Sequence, residues 1–379
     1  MKPRTPDFWL IVATVGLLAL LPMQAYAGMT PEEVKMFTET KAKAEKGDRV
    51  AQHSLGACYF KGRGVAKDEA EAVKWLRNAA DQGYALAQFD LGACYANGGG
   101  VAQDMVEAVK WLRNAADQGY ALAQFELGRC YRYGEGVAKD MIEAVKWYRK
   151  AADQGFASAQ ADLGVYYRDG VGVAKDLVEA VKWFRKAADQ GYYLAQFDLG
   201  ACYANGAGVA QDMVEAAKWY RKAADQGYYL AQFDLGVCYR NGEGVAEDLV
   251  EAVKWFRKAA DQGYALAQST LGNCYLFGQG VTKDEVEAVK WLRKAADQGA
   301  DYAQYYLGRC YRNGHGVAKD EGEAYAYFSL AGITDEDARK HLAILEKGMS
   351  PEARVRGQQR AKELRKEIEA KIAAKKAGK

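Results

Sequence analysis

An all-α solenoid of stacked helix pairs is the fold this chain predicts, and three observations carry it. The dipeptide Leu-Gly returns every 36 residues, at Leu55/Gly56, Leu91/Gly92, Leu127/Gly128, Leu163/Gly164, Leu199/Gly200, Leu235/Gly236, Leu271/Gly272 and Leu307/Gly308. A tryptophan keeps the same rhythm at Trp75, Trp111, Trp147, Trp183, Trp219, Trp255 and Trp291. Between these markers apolar residues recur at helical spacing, with turn signals and no strand-like alternation. A period of this size means that one supersecondary unit buries its apolar face only against its neighbours. Length alone would suggest two or three globular domains, and the repeat overrides that prior.

The elements follow in chain order. Residues 1–27 read as a secretory signal, with Lys2 and Arg4 ahead of an apolar run from Phe8 to Leu21 and the small-residue site Ala25-Tyr26-Ala27. That run is shorter than the roughly 20 residues of a membrane span. We therefore expect cleavage after Ala27 and an exported chain, periplasmic or secreted. Residues 28–50 hold a capping helix that opens at Thr30-Pro31-Glu32-Glu33, runs to Lys46 and stands where a preceding unit's second helix would.

Eight repeats fill residues 51–334, the last degenerate, with Tyr327 in place of the tryptophan. In the unit from Ala87 to Leu122, the segment Leu86–Ala96 forms helix A and Asn97-Gly98 reverses the chain. Asp104-Met105-Val106-Glu107 is a capping box, the Asp accepting an amide proton while Glu107 reaches back. Helix B then runs to about Asp117, with Val106, Val109, Trp111, Leu112 and Ala115 on its apolar flank, and Gly119 ends it. The recurring Asp-x-x-Glu is thus a helix start and not a row of metal or catalytic carboxylates. Gly92 and its equivalents let two helices approach closely. Residues 335–349 hold a C-terminal capping helix, from about Asp335 to Glu346. In residues 350–379, Ser350 caps a last helix with Pro351 at its first position.

The pattern A-Q-x-x-L-G-x-C-Y-x-x-G-x-G-V-x-x-D-x-x-E-A-x-K-W-x-R-K-A-A-D-Q-G resembles the Sel-one-like repeat, a relative of the tetratricopeptide repeat. The resemblance implies a right-handed superhelix of antiparallel helix pairs with helices A on its concave face. It also implies an adaptor or scaffold role, and for some bacterial members a link to β-lactam binding.

Comparing the repeats with one another separates structural positions from free ones. Leu, Gly, Tyr, Trp and the capping Asp barely change, while the third, seventh, tenth and eleventh positions vary and share one face of helix A. That face carries Phe89, Phe125, Arg129, Arg132, Tyr133, Arg168, Phe197, Phe233, Arg240, Phe277, Tyr305, Arg309 and Arg312. Phe, Tyr and Arg are the residue types of interface anchors, and a guanidinium one helical turn from a ring suits a carboxylate or acidic peptide. The competing reading packs the phenylalanines between neighbouring helices A, leaves the arginines solvated, and pairs Asp90, Glu126, Asp162, Asp198 and Asp234 with arginines of adjacent units.

Seven cysteines occupy one helix A position, with Tyr166 replacing the eighth. Adjacent equivalent helices pack about 8–10 Å apart, beyond the roughly 7 Å reach of a disulfide, so the thiols read as packing. His53, His315 and His341 are spread over the array, no Ser-x-x-Lys occurs, and no zinc-like cluster is present, so neither catalysis nor a metal or cofactor is expected.

The net charge of +2 hides an asymmetry: residues 351–379 carry ten Lys or Arg against four Glu, which leaves residues 28–350 acidic. Leu364, Ile368 and Ile372 stripe this basic tail, which reads as a solvated, fraying helix capable of weak contact with an anionic membrane. The expected function is a monomeric, non-catalytic scaffold that binds a protein or peptide partner, not nucleic acid, in the concave groove. The alternative is a cell-wall or β-lactam-binding protein with at most weak hydrolase activity.

Overall fold

The structure is a computed structural model that describes residues 29–377 and, among them, nineteen α-helices and no strand. The expected signal segment lies outside the described residues. Helix α1 (Pro31–Ala44) precedes the pairs α2/α3 (Arg49–Lys61, Glu69–Asp81), α4/α5 (Ala85–Asn97, Met105–Asp117), α6/α7 (Ala121–Tyr133, Met141–Asp153) and α8/α9 (Ala157–Asp169, Leu177–Asp189). Then come α10/α11 (Tyr193–Asn205, Met213–Asp225), α12/α13 (Tyr229–Asn241, Leu249–Asp261), α14/α15 (Ala265–Phe277, Glu285–Ala296) and α16/α17 (Asp301–Asn313, Glu321–Ala331). Helices α18 (Glu336–Gly348) and α19 (Pro351–Ala377) close the chain. The helices form two compact units, one up to Ala187 and one from Ala188.

Within each unit the core is layered. Val109, Leu112, Ala115 and Ala116 of α5, Ala123, Leu127 and Cys130 of α6, and Trp147 of α7 form one cluster, so each layer is closed by the tryptophan of the next pair. Gly128 lets α6 ride against α7: a Cβ there would stand 3.3 Å from both the Ala144 carbonyl and the Tyr148 ring. The second loop glycine serves the contact between pairs. Gly136 has φ +68°, and a Cβ on it would lie 2.1 Å from the carbonyl oxygen of Met105, the first residue of the preceding helix B. Gly100 meets Glu69 in the same way. So does Gly64 against Glu33, which puts α1 in the place of a preceding helix B.

A buried glutamine runs through the layers, and sequence reading assigns it no role. Gln124 is 4 % exposed; its Nε2 donates to the Ala116 carbonyl at 3.0 Å, and its Oε1 accepts from Gln154 Nε2 at 2.7 Å. Gln232 repeats this with Ala224 and Gln262 in the second unit. The Ala-Gln and Asp-Gln-Gly segments of the repeat are therefore two halves of one hydrogen-bonded joint. Satisfying these groups matters because an unpaired buried polar atom costs about 1–3 kcal/mol.

Two expectations are corrected. Asp104 caps α5 by accepting from Val106 and Glu107 backbone N–H groups, but Glu107 does not reach back; it binds Lys110 at 2.8 Å. The reason is that the Asp104 N–H already donates to the Tyr95 carbonyl at 2.8 Å, which leaves the glutamate nothing to accept. Among the helix starts described, a complete capping box is seen at Thr30 and Glu33 of α1.

The basic tail is not a solvated helix. Leu364 and Ile368 of α19 are buried against α16 and α17, and Gly357 crosses Tyr325 so closely that a Cβ would fall 2.7 Å from the ring. Arg360 binds Glu323 at 2.6 Å and Lys371 binds Asp297 at 2.8 Å, so acidic residues of the array neutralise part of the tail. The apolar stripe expected to be solvated instead covers the end of the core.

Gly136→Ala should destabilise the chain by about 3 kcal/mol or more, because it combines a left-handed backbone with a carbonyl collision. Gly119→Ala, at φ +87° with no atom within 4 Å, should cost only about 1 kcal/mol. Urea melts of the two variants check the difference. Leu364→Asp with Ile368→Asp should undock α19 and speed tryptic cleavage within it by at least about tenfold, read by timed proteolysis.

Candidate functional site

The candidate surface is the variable face of the helices A. In the first unit most of its named residues already have partners. Phe89 lies edge-on to Tyr120 at 5.3 Å, and Phe125, only 9 % exposed, packs on Tyr148 and on Phe156 at 5.0 Å. Arg129 binds Glu126 of its own helix at 2.8 Å. Arg132 reaches Asp162 of the next helix A at 3.4 Å and lies over the Tyr133 and Tyr166 rings. Arg168 binds Asp169 at 2.8 Å. Tyr133 remains exposed.

The second unit repeats the aromatic joint: Phe197 meets Tyr228 at 5.2 Å and Phe233 meets Tyr264 at 5.4 Å. In both units the third-position phenylalanine thus packs on the ring that opens the following helix A, 31 residues on. Further along, Arg309 lies over the Tyr305 and Tyr306 rings, Arg312 reaches His341 Nδ1 at 3.1 Å, and Phe277 is half exposed.

Pairing of charges across the helices A has its own register, and it breaks in the second unit. The Arg132–Asp162 pair spans 30 residues. At the same register Asp234 faces Ala204, and Arg240 faces Thr270. Asp234 consequently has no cation beside it, and burial pushes its carboxyl up to about 6. Arg240 hydrogen-bonds to Asn241 Oδ1 at 3.3 Å and lies over the Phe256 ring. It lines a pocket with Thr270, Asn273, Phe277, Tyr302 and Tyr306. The competing sequence reading pairs Asp234 with an arginine, and neither reading singles out Tyr302 or Tyr306. The signal was the run Ser269-Thr270 with Asn273, where the seventh unit leaves the repeat pattern.

The groups that could carry reaction chemistry are committed elsewhere. All seven cysteines are free and buried, and burial pushes the Cys94 and Cys130 thiols up to about 12 and those of Cys238, Cys274 and Cys310 to about 11. His53 Nε2 meets Asp90 at 2.7 Å and His315 Nδ1 meets Glu285 at 3.1 Å. Those partners lie 37 and 30 residues away, on neighbouring pairs, where helical spacing cannot reveal them. Burial, then Arg312, holds His341 below the usual histidine range. Among the described residues no group of three or more potential metal ligands occurs.

The Sel1 repeat model matches eight consecutive segments: residues 49–84, 85–120, 121–156, 157–192, 194–228, 230–264, 265–299 and 301–332. The chain belongs to the Sel1 repeat family. It is similar to a Sel1 repeat protein from Oxalobacter formigenes, at 35 % identity and a TM-score of 0.65 over 81 % of this chain and 89 % of that one. It is also similar to a protective antigen of uropathogenic Escherichia coli displaying an SLR fold, at 31 % identity and a TM-score of 0.54 over 92 % of each chain. No match was found among curated proteins. Sel1 repeat proteins generally serve as scaffolds for protein–protein interaction and are typically non-catalytic.

Asp234 makes a pH prediction for this Sel1 chain. Its folded pKa lies above the unfolded one, so the folded state takes the proton first; the burial penalty is full above pH 6 and fades as pH falls towards 4. Asp234→Asn should therefore stabilise the protein by about 1–2 kcal/mol at neutral pH and by nothing near pH 3.5, as measured by urea melts at both.

Proposed function

We propose that the protein is an exported, non-catalytic scaffold whose helix A surfaces bind a protein or peptide partner. The observation that carries this reading is the distribution of exposed aromatic side chains. Among the described residues, Tyr133, Tyr193, Phe277 and Tyr302 are the exposed aromatics, and all four lie on helices A. The outer edges of the helices B instead carry solvated Lys–Glu pairs and single aliphatic residues such as Val106 and Val250. Exposed rings offer large contact area at low entropic cost, which is how interfaces concentrate their binding energy.

Export is supported by the basic start, the apolar run and the Ala25-Tyr26-Ala27 site, together with the likeness to a protective antigen. No described helix is long and apolar enough to cross a membrane. The reading without catalysis is supported by thiols that burial keeps protonated and by histidines engaged with carboxylates or an arginine.

Affinity capture from native extract with residues 28–379 tests the reading. Tyr133→Ser with Tyr193→Ser should lose the partner by about tenfold or more, the size of effect expected when interface anchors are truncated. Val106→Ser with Val250→Ser, on helices B, should retain it. Equal capture by both variants would exclude the helix A surface.

A further inference from the structure

The register of charges in the second unit leaves Arg240 without a carboxylate. Where Asp162 meets Arg132, the residue equivalent to Asp162 three repeats later is Thr270, and the residue equivalent to Arg132 is Arg240. Arg240 is partly buried, lies over the Phe256 ring, and has the Asn241 side-chain oxygen as its hydrogen-bond acceptor. No ion pair forms at Arg240, whereas Arg129, Arg132 and Arg168 each have a carboxylate.

Beside it the helices α12, α14 and α16 open a pocket of about 170 Å³, bounded by Arg240, Thr270, Asn273, Phe277, Tyr302 and Tyr306. A second observation points to a ligand there. Asn273 is only 8 % exposed; its Nδ2 donates to Tyr302 Oη at 2.8 Å, while its Oδ1 has no hydrogen-bond partner. The corresponding residues of the two preceding helices A are Ala201 and Val237, so the seventh repeat places a polar amide where those two carry apolar side chains. Burying an amide with an acceptor unmet is unfavourable unless something supplies the missing N–H.

We propose that this pocket is a seat for a peptide carboxylate, filling the position that Asp162 occupies against Arg132. The ligand oxygens take the charge-assisted bonds of Arg240 and the Thr270 hydroxyl. The amide N–H next to the carboxylate supplies Asn273 Oδ1, and Phe277 and Tyr302 cover the adjoining residue. Both a free C-terminus and an acidic side chain within a peptide carry this chemistry. The assignment deepens the scaffold reading and rests on it for the nature of the partner.

The test uses the chain from residue 28 to 379 and three fluorescent Ala/Ser pentapeptides: one with a free C-terminal carboxylate, one with a C-terminal amide, and one amidated with an internal aspartate. Binding of either carboxylate-bearing peptide at least about tenfold more tightly than the plain amide is expected, and which one binds identifies the source. Thr270→Asp restores the internal acid and should abolish that binding while leaving the melting temperature equal or higher; Arg240→Gln should abolish it as well. Equal affinity for all three peptides, no binding of any, or binding unchanged in Thr270→Asp would overturn the assignment. A partner captured from extract equally by the parent and Thr270→Asp would keep the scaffold reading while this seat fails. Peptide binding without a captured partner would do the reverse.

Discussion

The rest of the structure depends on the close approach of backbone to backbone at the loop glycines. In each repeat where the contact is seen, the second glycine of Gly-x-Gly-Val sits with positive φ so near a carbonyl one layer back that no side chain could stand there. Gly136 on Met105 and Gly280 on Leu249 are two instances. This contact sets the distance between successive helices B. With that distance set, Trp147 or Trp255 can close the preceding layer, and the leucine of Leu-Gly becomes fully buried. The repeat is therefore rigid in its spacing although each helix is only thirteen residues or fewer within the array. Helices of that length are marginal alone and owe their stability to packing.

Most polar groups inside the layers follow the same logic. Within each unit the glutamine joint satisfies carbonyls at the ends of the helices B and fastens one pair to the next. The tryptophan indole N–H groups, by contrast, are buried without partners from Trp75 to Trp291. Five of these rings carry a lysine ammonium over the face at 3.6–3.9 Å, a contact that recovers part of the cost. Asn78 and Asn114 stand at that lysine position in the first two repeats, where Trp75 and Trp111 are also less buried.

Of the candidate surface, the sequence revealed which positions are free and that they share a face. It did not reveal what each side chain does there. Phe125 and Arg132 look alike in the repeat comparison as variable, anchor-type residues, yet one is buried on Phe156 and the other is held by Asp162. Their partners lie 30 or 31 residues away, on the adjacent helix A, and such spacings follow from the stacking geometry and not from helical periodicity. What distinguishes Arg240 is an absence at the same register, a threonine where an acid pairs elsewhere, and this is visible only once the Arg132–Asp162 pair has been seen.

By itself the sequence determined the helix pairs, their starts at the capping aspartates, their ends at glycine and the cap that α1 forms, since these are set by local propensity and by a period that repeats eight times. Only the tertiary structure decided that Glu107 turns to Lys110, that α19 docks, and that Arg240 stands without a carboxylate. Each of these outcomes is a competition between a local partner and one brought close by packing, and local sequence contains just one of the competitors.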